Sequence, residues 1–236
     1  MRVALIADMH GNDVAFEAVI AELESEQFDE IVCLGDVAQG GPQPVEVVDR
    51  LRDLGCRCVF GNSDEFLFTF ESQIEPVTER QRAIGEWSRE QLGERLEFLR
   101  SFEPTVELDL DGRRLVCCHA TPTSNEDVIL PDAPREEIAR ALGDADVVAS
   151  GHVHLQWQRR VGRKLWVSVG SVGLVWEHKD PLDDQPFDPW AEYAVLDAKG
   201  GRFSVEFRRV PFDVNALLEA AAAMPDDEYA RMWKCA

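Results

Sequence analysis

Basic side chains are scarce in this chain of 236 residues, where 24 lysines and arginines stand against 45 aspartates and glutamates and leave a formal net charge of −21. Binding to long nucleic acid draws on stripes of Lys and Arg that release counterions, and no such stripe occurs, so long nucleic acid is not expected as a partner. The acidic excess reads as a solvating surface. Long apolar runs are also missing: none approaches the roughly 20 residues that span a bilayer, so no membrane partner is expected. Charged Arg2 leads into a short strand with Asp8 behind it, not into a signal-peptide core, which makes the cytoplasm the expected compartment. The C-x2-C spacing of a zinc site does not occur among the six cysteines. Cys33, Cys56, Cys58, Cys117 and Cys118 lie in apolar strand-like runs, where a reduced thiol behaves as a small hydrophobe, and Cys235 is a tail residue. There are no internal repeats. Histidine is rare, with five in the chain.

What is present begins at the N-terminus. Val3 to Ala7 form a short apolar run suited to a strand covered on both faces, and polar chemistry starts at Asp8. In an extended chain alternate side chains share a face, so Asp8 and His10 are expected to point together while Met9 points back into the core. Alone, such a pair beside a turn is more often a cap and a surface side chain.

The first half alternates strand and helix. A helical period covers Asp13 to about Glu24, a strand Ile31 to Leu34, a helix Pro44 to Leu54 and a strand Cys56 to Phe60. Such βαβ units predict parallel pairing with right-handed crossovers. A helix-rich insertion around 65–102 breaks the rhythm, with a helix over Thr78–Arg100 interrupted near Gly93; Phe66, Phe68, Phe70 and Trp87 read as core. The second half turns to strands: a hairpin Val106–Leu110 and Leu115–Cys118 around Asp111-Gly112, then Val147–Ala149, Gln156–Val161, Lys164–Val169, Glu192–Leu196 and Arg202–Arg209. Helices are predicted at Glu136–Leu142 and Asp213–Ala223, and the stretch around 177–190 reads as a flap-like loop. The whole, 1–236, fits one domain.

Polar residues follow these strands in a pattern. Leu34 leads into Gly35-Asp36, Phe60 into Gly61-Asn62-Ser63-Asp64, Cys118 into His119, and Ser150 into Gly151-His152-Val153-His154. Four of the five histidines, His10, His119, His152 and His154, thus stand directly after apolar strand runs, beside small residues that leave space. Carboxylates and imidazoles converging on strand ends are the ingredients of a metal site.

In this order, Asp8-Met9-His10, Gly35-Asp36, Gly61-Asn62, His119-Ala120-Thr121-Pro122 and Gly151-His152-Val153-His154 resemble the calcineurin-like metallophosphoesterase superfamily, and Ser171-Val172-Gly173 with Tyr193-Ala194-Val195-Leu196-Asp197 resembles its small bacterial and archaeal phosphodiesterase branch. The resemblance implies a four-layer αββα sandwich, two mixed β-sheets flanked by helices with the metal site at the C-terminal ends of strands. It further implies that Asp8, His10 and His154 hold one divalent ion, Asn62, His119 and His152 another, and Asp36 bridges both. Mn, Fe, Ni, Co or Zn suits such mixed N/O ligation. The implied activity is hydrolysis of a small phosphorylated substrate, a phosphodiester first, by a metal-bridging hydroxide. Hydrolysis of a dinucleoside polyphosphate or other anhydride is the alternative, and a weakly active metal-binding scaffold a third.

Two departures from the family pattern stand out. Ser63 occupies the place of a histidine that assists the leaving group, and serine is no general acid near neutral pH. Ser168-Val169-Gly170-Ser171-Val172-Gly173 replaces an Asn-Pro-Gly-Ser form and no arginine follows closely, so a phosphate contact there is in question. His178, the fifth histidine, is a candidate for the missing acid because an imidazole with a pKa near ~6.5 suits that work, although among Glu177, Lys179 and Asp180 a solvated surface histidine is the usual finding. Asp64 and water are the other candidates.

Overall fold

The computed structural model describes residues 1–72, 77–175, 189–200 and 202–233. The elements run β1 (Arg2–Ile6), α1 (Asp13–Ser25), β2 (Glu30–Cys33), α2 (Pro44–Leu54), β3 (Arg57–Cys58), α3 (Asn62–Thr69), α4 (Glu79–Leu92), α5 (Leu96–Arg100), β4 (Val106–Asp109) and β5 (Arg114–Cys118). They continue with α6 (Arg135–Leu142), β6 (Val147–Ser150), β7 (Gln156–Val161), β8 (Lys164–Val169), β9 (Trp190–Lys199), β10 (Arg202–Pro211), α7 (Val214–Ala221) and α8 (Glu228–Trp233).

The strands form two five-stranded sheets, ordered β10-β9-β1-β2-β3 and β4-β5-β6-β8-β7. In the first sheet β1, β2 and β3 run parallel and β9 antiparallel to β1; in the second β5, β6 and β8 run parallel, with β4 and β7 antiparallel at the edges. Alternation along β1 sorts its side chains between two cores. Val3, Leu5 and Ala7 face the second sheet and meet Leu115, Cys117, Val147, Ala149 and Val167, while Ala4 and Ile6 join Phe16, Val19, Val47 and Leu51 under α1 and α2. A third core packs α6 on the outer face of the second sheet through Ile138, Leu142 and Trp166. This is an αββα sandwich, as the family resemblance implies.

Several boundaries differ from expectation. The strand expected over Cys56–Phe60 has only two paired residues, because Val59 and Phe60 turn to the segment after α5, where Val59 bridges Glu103 and the Phe60 N–H donates to the Glu103 carbonyl. β9 extends well past Glu192–Leu196, since its backbone pairs with β10 through ten consecutive positions. The helix expected over Asp213–Ala223 stops at Ala221, with Asp213 as its cap. The sequence pattern did not anticipate α8: six residues are too few to show a period. The break near Gly93 is present as a 3-10 turn between α4 and α5. Of the flap-like loop, Pro189 and Trp190 are described, Trp190 as the first residue of β9, and the rest lies outside the described residues.

Candidate metal centre

All five parallel-strand ends that carry motif residues open on one side of the sandwich. Here the structure corrects the extended-chain expectation. β1 ends at Ile6, and Asp8 and His10 take left-handed backbone conformations (φ 56° and 46°), as do Asp36 (56°), His152 (69°) and His154 (55°). The side chains therefore converge because the chain curls back on itself at each one, not because they alternate along a strand. Left-handed φ costs about 1–3 kcal/mol at a non-glycine residue, and such strain clusters at functional sites. Asp and His are among the few types that tolerate it. Glycines nearby serve close approach: a Cβ on Gly61 would lie 2.1 Å from Asp36 Oδ1, and one on Gly151 would lie 2.5 Å from Asp8 Oδ2.

Backbone carbonyls fix the histidine rings. His10 Nδ1 is 2.8 Å from the Gln39 carbonyl, His119 Nδ1 2.8 Å from that of Leu34 and His154 Nδ1 2.7 Å from that of Leu174. A carbonyl only accepts, so each Nδ1 carries a proton and each Nε2 faces the centre, where it offers a lone pair once no proton sits on it, the usual arrangement behind a metal-binding imidazole. His152 is reversed, with Nε2 3.1 Å from the Glu126 carbonyl and Nδ1 facing inward.

The inward atoms form two groups that meet at Asp36. His10 Nε2 lies 3.1 Å from His154 Nε2, and His154 Nε2 lies 3.5 Å from Asp8 Oδ1. On the other side Asn62 Oδ1 lies 2.8 Å from His119 Nε2 and 3.1 Å from His152 Nδ1. Asp36 Oδ2 sits between, 3.6 Å from His10 Nε2 and 3.4 Å from His119 Nε2. Donor atoms each ~2.1 Å from one cation are separated by about 3–4 Å, so these spacings fit ligation. Two further observations support a cation. Asp8 Oδ1 is buried and accepts no hydrogen bond, although its partner Oδ2 accepts the His152 N–H at 3.0 Å. His10 and His154 face each other through Nε2 atoms with at most one proton between them, a place where a cation competes with that proton. Ligand atoms of Asp8, His10 and His154, and again of Asp8, Asp36 and His119, lie within 4.8 Å of one another.

Electrostatics agree with this fit. Burial would raise the Asp36 carboxyl, but the His119 and His10 rings and the Ser63 hydroxyl hold it well below the usual carboxylate range. Burial opposes charge on His119, yet Asp36 and Asp8 push it up to about 10. His154 is raised, against burial, by Asp8; burial lowers His10 and His152. Buried carboxylates that draw protons onto neighbouring imidazoles mark a site built for positive charge.

The departures now have positions. Ser63 donates its hydroxyl to Asp36 Oδ2 at 2.7 Å and its N–H to Oδ1 at 2.8 Å, so it clamps the carboxylate from the N-terminus of α3. Asp64 is fully buried and accepts from the N–H groups of Asp36, Val37 and Gly61 at 2.8, 2.9 and 3.0 Å. Burial and the Asp36 charge raise it to about 6, but enclosed among backbone donors it supports the Asp36 turn and is no proton donor to a substrate. Ser171 donates to the Asp8 carbonyl at 2.8 Å and Gly173 N–H to the same oxygen at 2.9 Å, so that segment tethers the Asp8 turn. The sequence signal for Asp64 was its place three residues after Gly61, the spacing of a carboxylate that reaches back to cap its own helix. His178 lies outside the described residues.

The chain is 27% identical over 226 residues to the uncharacterized protein MJ0912 of Methanocaldococcus jannaschii, covering 92% of this chain and 90% of that one. In structure it is similar to a metallophosphoesterase from Sphaerobacter thermophilus (TM-score 0.75, 24% identity, 98% of each chain) and to hypothetical protein PH1004 from Pyrococcus horikoshii OT3 (TM-score 0.82, 18% identity, 100% of this chain and 98% of that one). At those identities the structures establish the shared fold. Residues 1–199, a span that contains each of the seven inward-facing side chains, match the calcineurin-like phosphoesterase superfamily domain, and the chain belongs to that superfamily.

Proposed function

We propose that the protein is a metal-dependent phosphodiesterase acting on a small phosphorylated substrate, with one divalent ion on Asp8, His10 and His154, a second on Asn62, His119 and His152, and Asp36 shared between them. The observation that carries this reading is the position of Asp36 Oδ2, within 3.6 Å of His10 Nε2 and 3.4 Å of His119 Nε2, where two groups of donors converge on one carboxylate oxygen. Bound divalent ions supply Lewis acidity to phosphate oxygens and lower the pKa of water. The chain's own residues set the geometry. Carbonyls of Gln39, Leu34 and Leu174 hold three imidazoles in one tautomer, and Ser63 with Asp64 orients Asp36. The five described cysteines are all free, which suits a cytoplasmic protein. Among the described residues no helix is long and apolar enough to cross a membrane.

Elemental analysis and calorimetry of the fully loaded protein should give two divalent ions per chain, and manganese-supplemented protein should hydrolyse bis(p-nitrophenyl) phosphate faster than p-nitrophenyl phosphate. One ion per chain would remove Asn62, His119 and His152 from the assignment. A second reading, hydrolysis of a polyphosphate anhydride, is favoured by one observation: the Ser63 hydroxyl is committed to Asp36, and anhydrides need little acid at the leaving group.

A further inference from the structure

His10, Asp36, Asn62, His152 and His154 line a cleft of about 310 Å³, and a further wall of it comes from elements outside the sandwich. Arg80, Gln81 and Ile84 of α4 line it, with Leu174 and with Tyr229 and Met232 of α8. This wall has its own small core, in which Ile84, Leu217, Met224, Tyr229 and Trp233 are buried together. It is therefore a packed surface and not a loose flap.

Arg80 is the only lysine or arginine among the described lining residues. Its Nε lies 3.0 Å from Asp226 Oδ2 and 2.7 Å from Glu228 Oε2, which ties α4 to the start of α8. Those contacts use the Nε edge of the guanidinium, and its side chain is 38% exposed, so the two Nη groups keep donors for something else. The charge balance restricts what that is. Asp226 and Glu228 set two carboxylates beside the one Arg80 guanidinium, so a second or third phosphate placed against Arg80 would be repelled. The lining beside it is apolar, from Ile84, Leu174 and Met232. The volume is at the lower end of the range for small-molecule sites, about 300–1,000 Å³, which fits one compact group.

We propose that the face built by α4 and α8 is the subsite for the second ester group of a phosphodiester, and that it selects a neutral, partly apolar group of nucleoside size or smaller, with Arg80 as the specificity-determining donor. This rests on the phosphodiesterase reading and deepens it, because it sets single-phosphate diesters ahead of polyphosphate anhydrides.

The test uses the full-length, manganese-loaded protein and two diesters with the same charge and leaving group: methyl p-nitrophenyl phosphate and thymidine 5′-(p-nitrophenyl phosphate). The thymidine ester should have the lower KM by about tenfold, at similar kcat, and diadenosine tetraphosphate should be a poor substrate. Arg80→Ala and Met232→Ala should each bring the KM ratio of the two diesters toward one, and Arg80→Lys should keep part of it. The double variant Asp226→Asn with Glu228→Gln should raise kcat/KM for diadenosine tetraphosphate by removing the repulsion. Equal KM values for the two diesters in the wild type, or a wild-type preference for the tetraphosphate, would overturn the subsite. Absence of turnover with every ester would instead overturn the phosphodiesterase reading. The subsite is then judged by calorimetry with methyl thymidine 5′-phosphate against dimethyl phosphate, where an Arg80-dependent preference for the thymidine compound upholds it and no preference overturns it.

Discussion

The two ends of the parallel strands solve the same backbone problem with different residues. At the end away from the candidate metal centre, the β4–β5 hairpin places left-handed conformations on Asp111 (φ 54°) and Gly112 (φ 83°) and the β7–β8 hairpin on Gly162 (φ 65°), and a Cβ on either glycine would meet nothing within 4 Å. These glycines serve turn geometry alone. At the other end the left-handed positions are given to Asp8, His10, Asp36, His152 and His154, and the glycines, such as Gly61 and Gly151, sit where a Cβ would strike a carboxylate. The far end holds one such non-glycine residue, Asp111, in a hairpin turn; the other holds five, where seven polar side chains face one point. Stability and chemistry are therefore separable along the length of each strand.

The sharpest way to break that contrast is Asp36→Asn. It removes the carboxylate proposed to be shared, and since loss of a mere supporting partner costs roughly 10–100-fold in metal affinity, loss of this proposed ligand should exceed ~100-fold at both groups of donors. Titration calorimetry with manganese measures it; tight binding of even one ion by the variant would show that Asp36 is not shared. Next in size is the pair Gly61→Ala and Gly162→Ala. The first forces a methyl to 2.1 Å from Asp36 Oδ1 and should cost about 1–3 kcal/mol together with most metal binding. The second adds left-handed strain of about 1–2 kcal/mol and should leave metal content unchanged. Thermal melts with metal analysis separate them, and equal metal loss in both would erase the distinction between the two ends.

A smaller effect is expected from Asp64→Asn, because an amide has one acceptor oxygen for the three N–H groups that now converge on the carboxylate. Metal affinity should fall about 10–100-fold with the fold intact by circular dichroism. An unchanged affinity would limit Asp64 to capping α3. The smallest effect belongs to the far end. Glu26, at the end of α1, is held down to about 2 by hydrogen bonds from Arg208 and Arg2. A carboxyl with a lowered folded pKa contributes stability above its ordinary value of 4.5 and loses it as pH falls toward 2. Glu26→Gln should therefore flatten the decline of stability between those pH values, read by chemical denaturation, and leave metal affinity at neutral pH untouched.

Much of this molecule was legible before its fold. Apolar runs and helical periods located α1, α2, β1, β2, β7 and β8 because each buries a face along a regular repeat. The dipeptide Asp111-Gly112 located its hairpin, and the Thr78–Arg100 pattern located α4 and α5 with the break at Gly93. The polar residues after apolar strand runs were legible as a constellation because the histidines concentrate there, and the family resemblance singled out seven of them as candidate ligands. Less was legible where pairing, not periodicity, sets the boundary: β3 shortens and β9 lengthens according to what lies beside them.

The amino-acid sequence by itself determined the alternation of strands and helices, the side chains able to bind a cation and their order along the chain, since hydrophobic period and residue chemistry are local properties. Only the tertiary structure decided how those side chains meet. The left-handed turns at Asp8 and His10, the carbonyls that orient three imidazoles, the conversion of Ser63 and Asp64 into supports for Asp36, and the wall that Arg80 and α8 bring to the cleft all join residues distant in sequence. Such contacts leave no periodic trace, because each depends on where a strand end from one sheet comes to rest against a loop from the other.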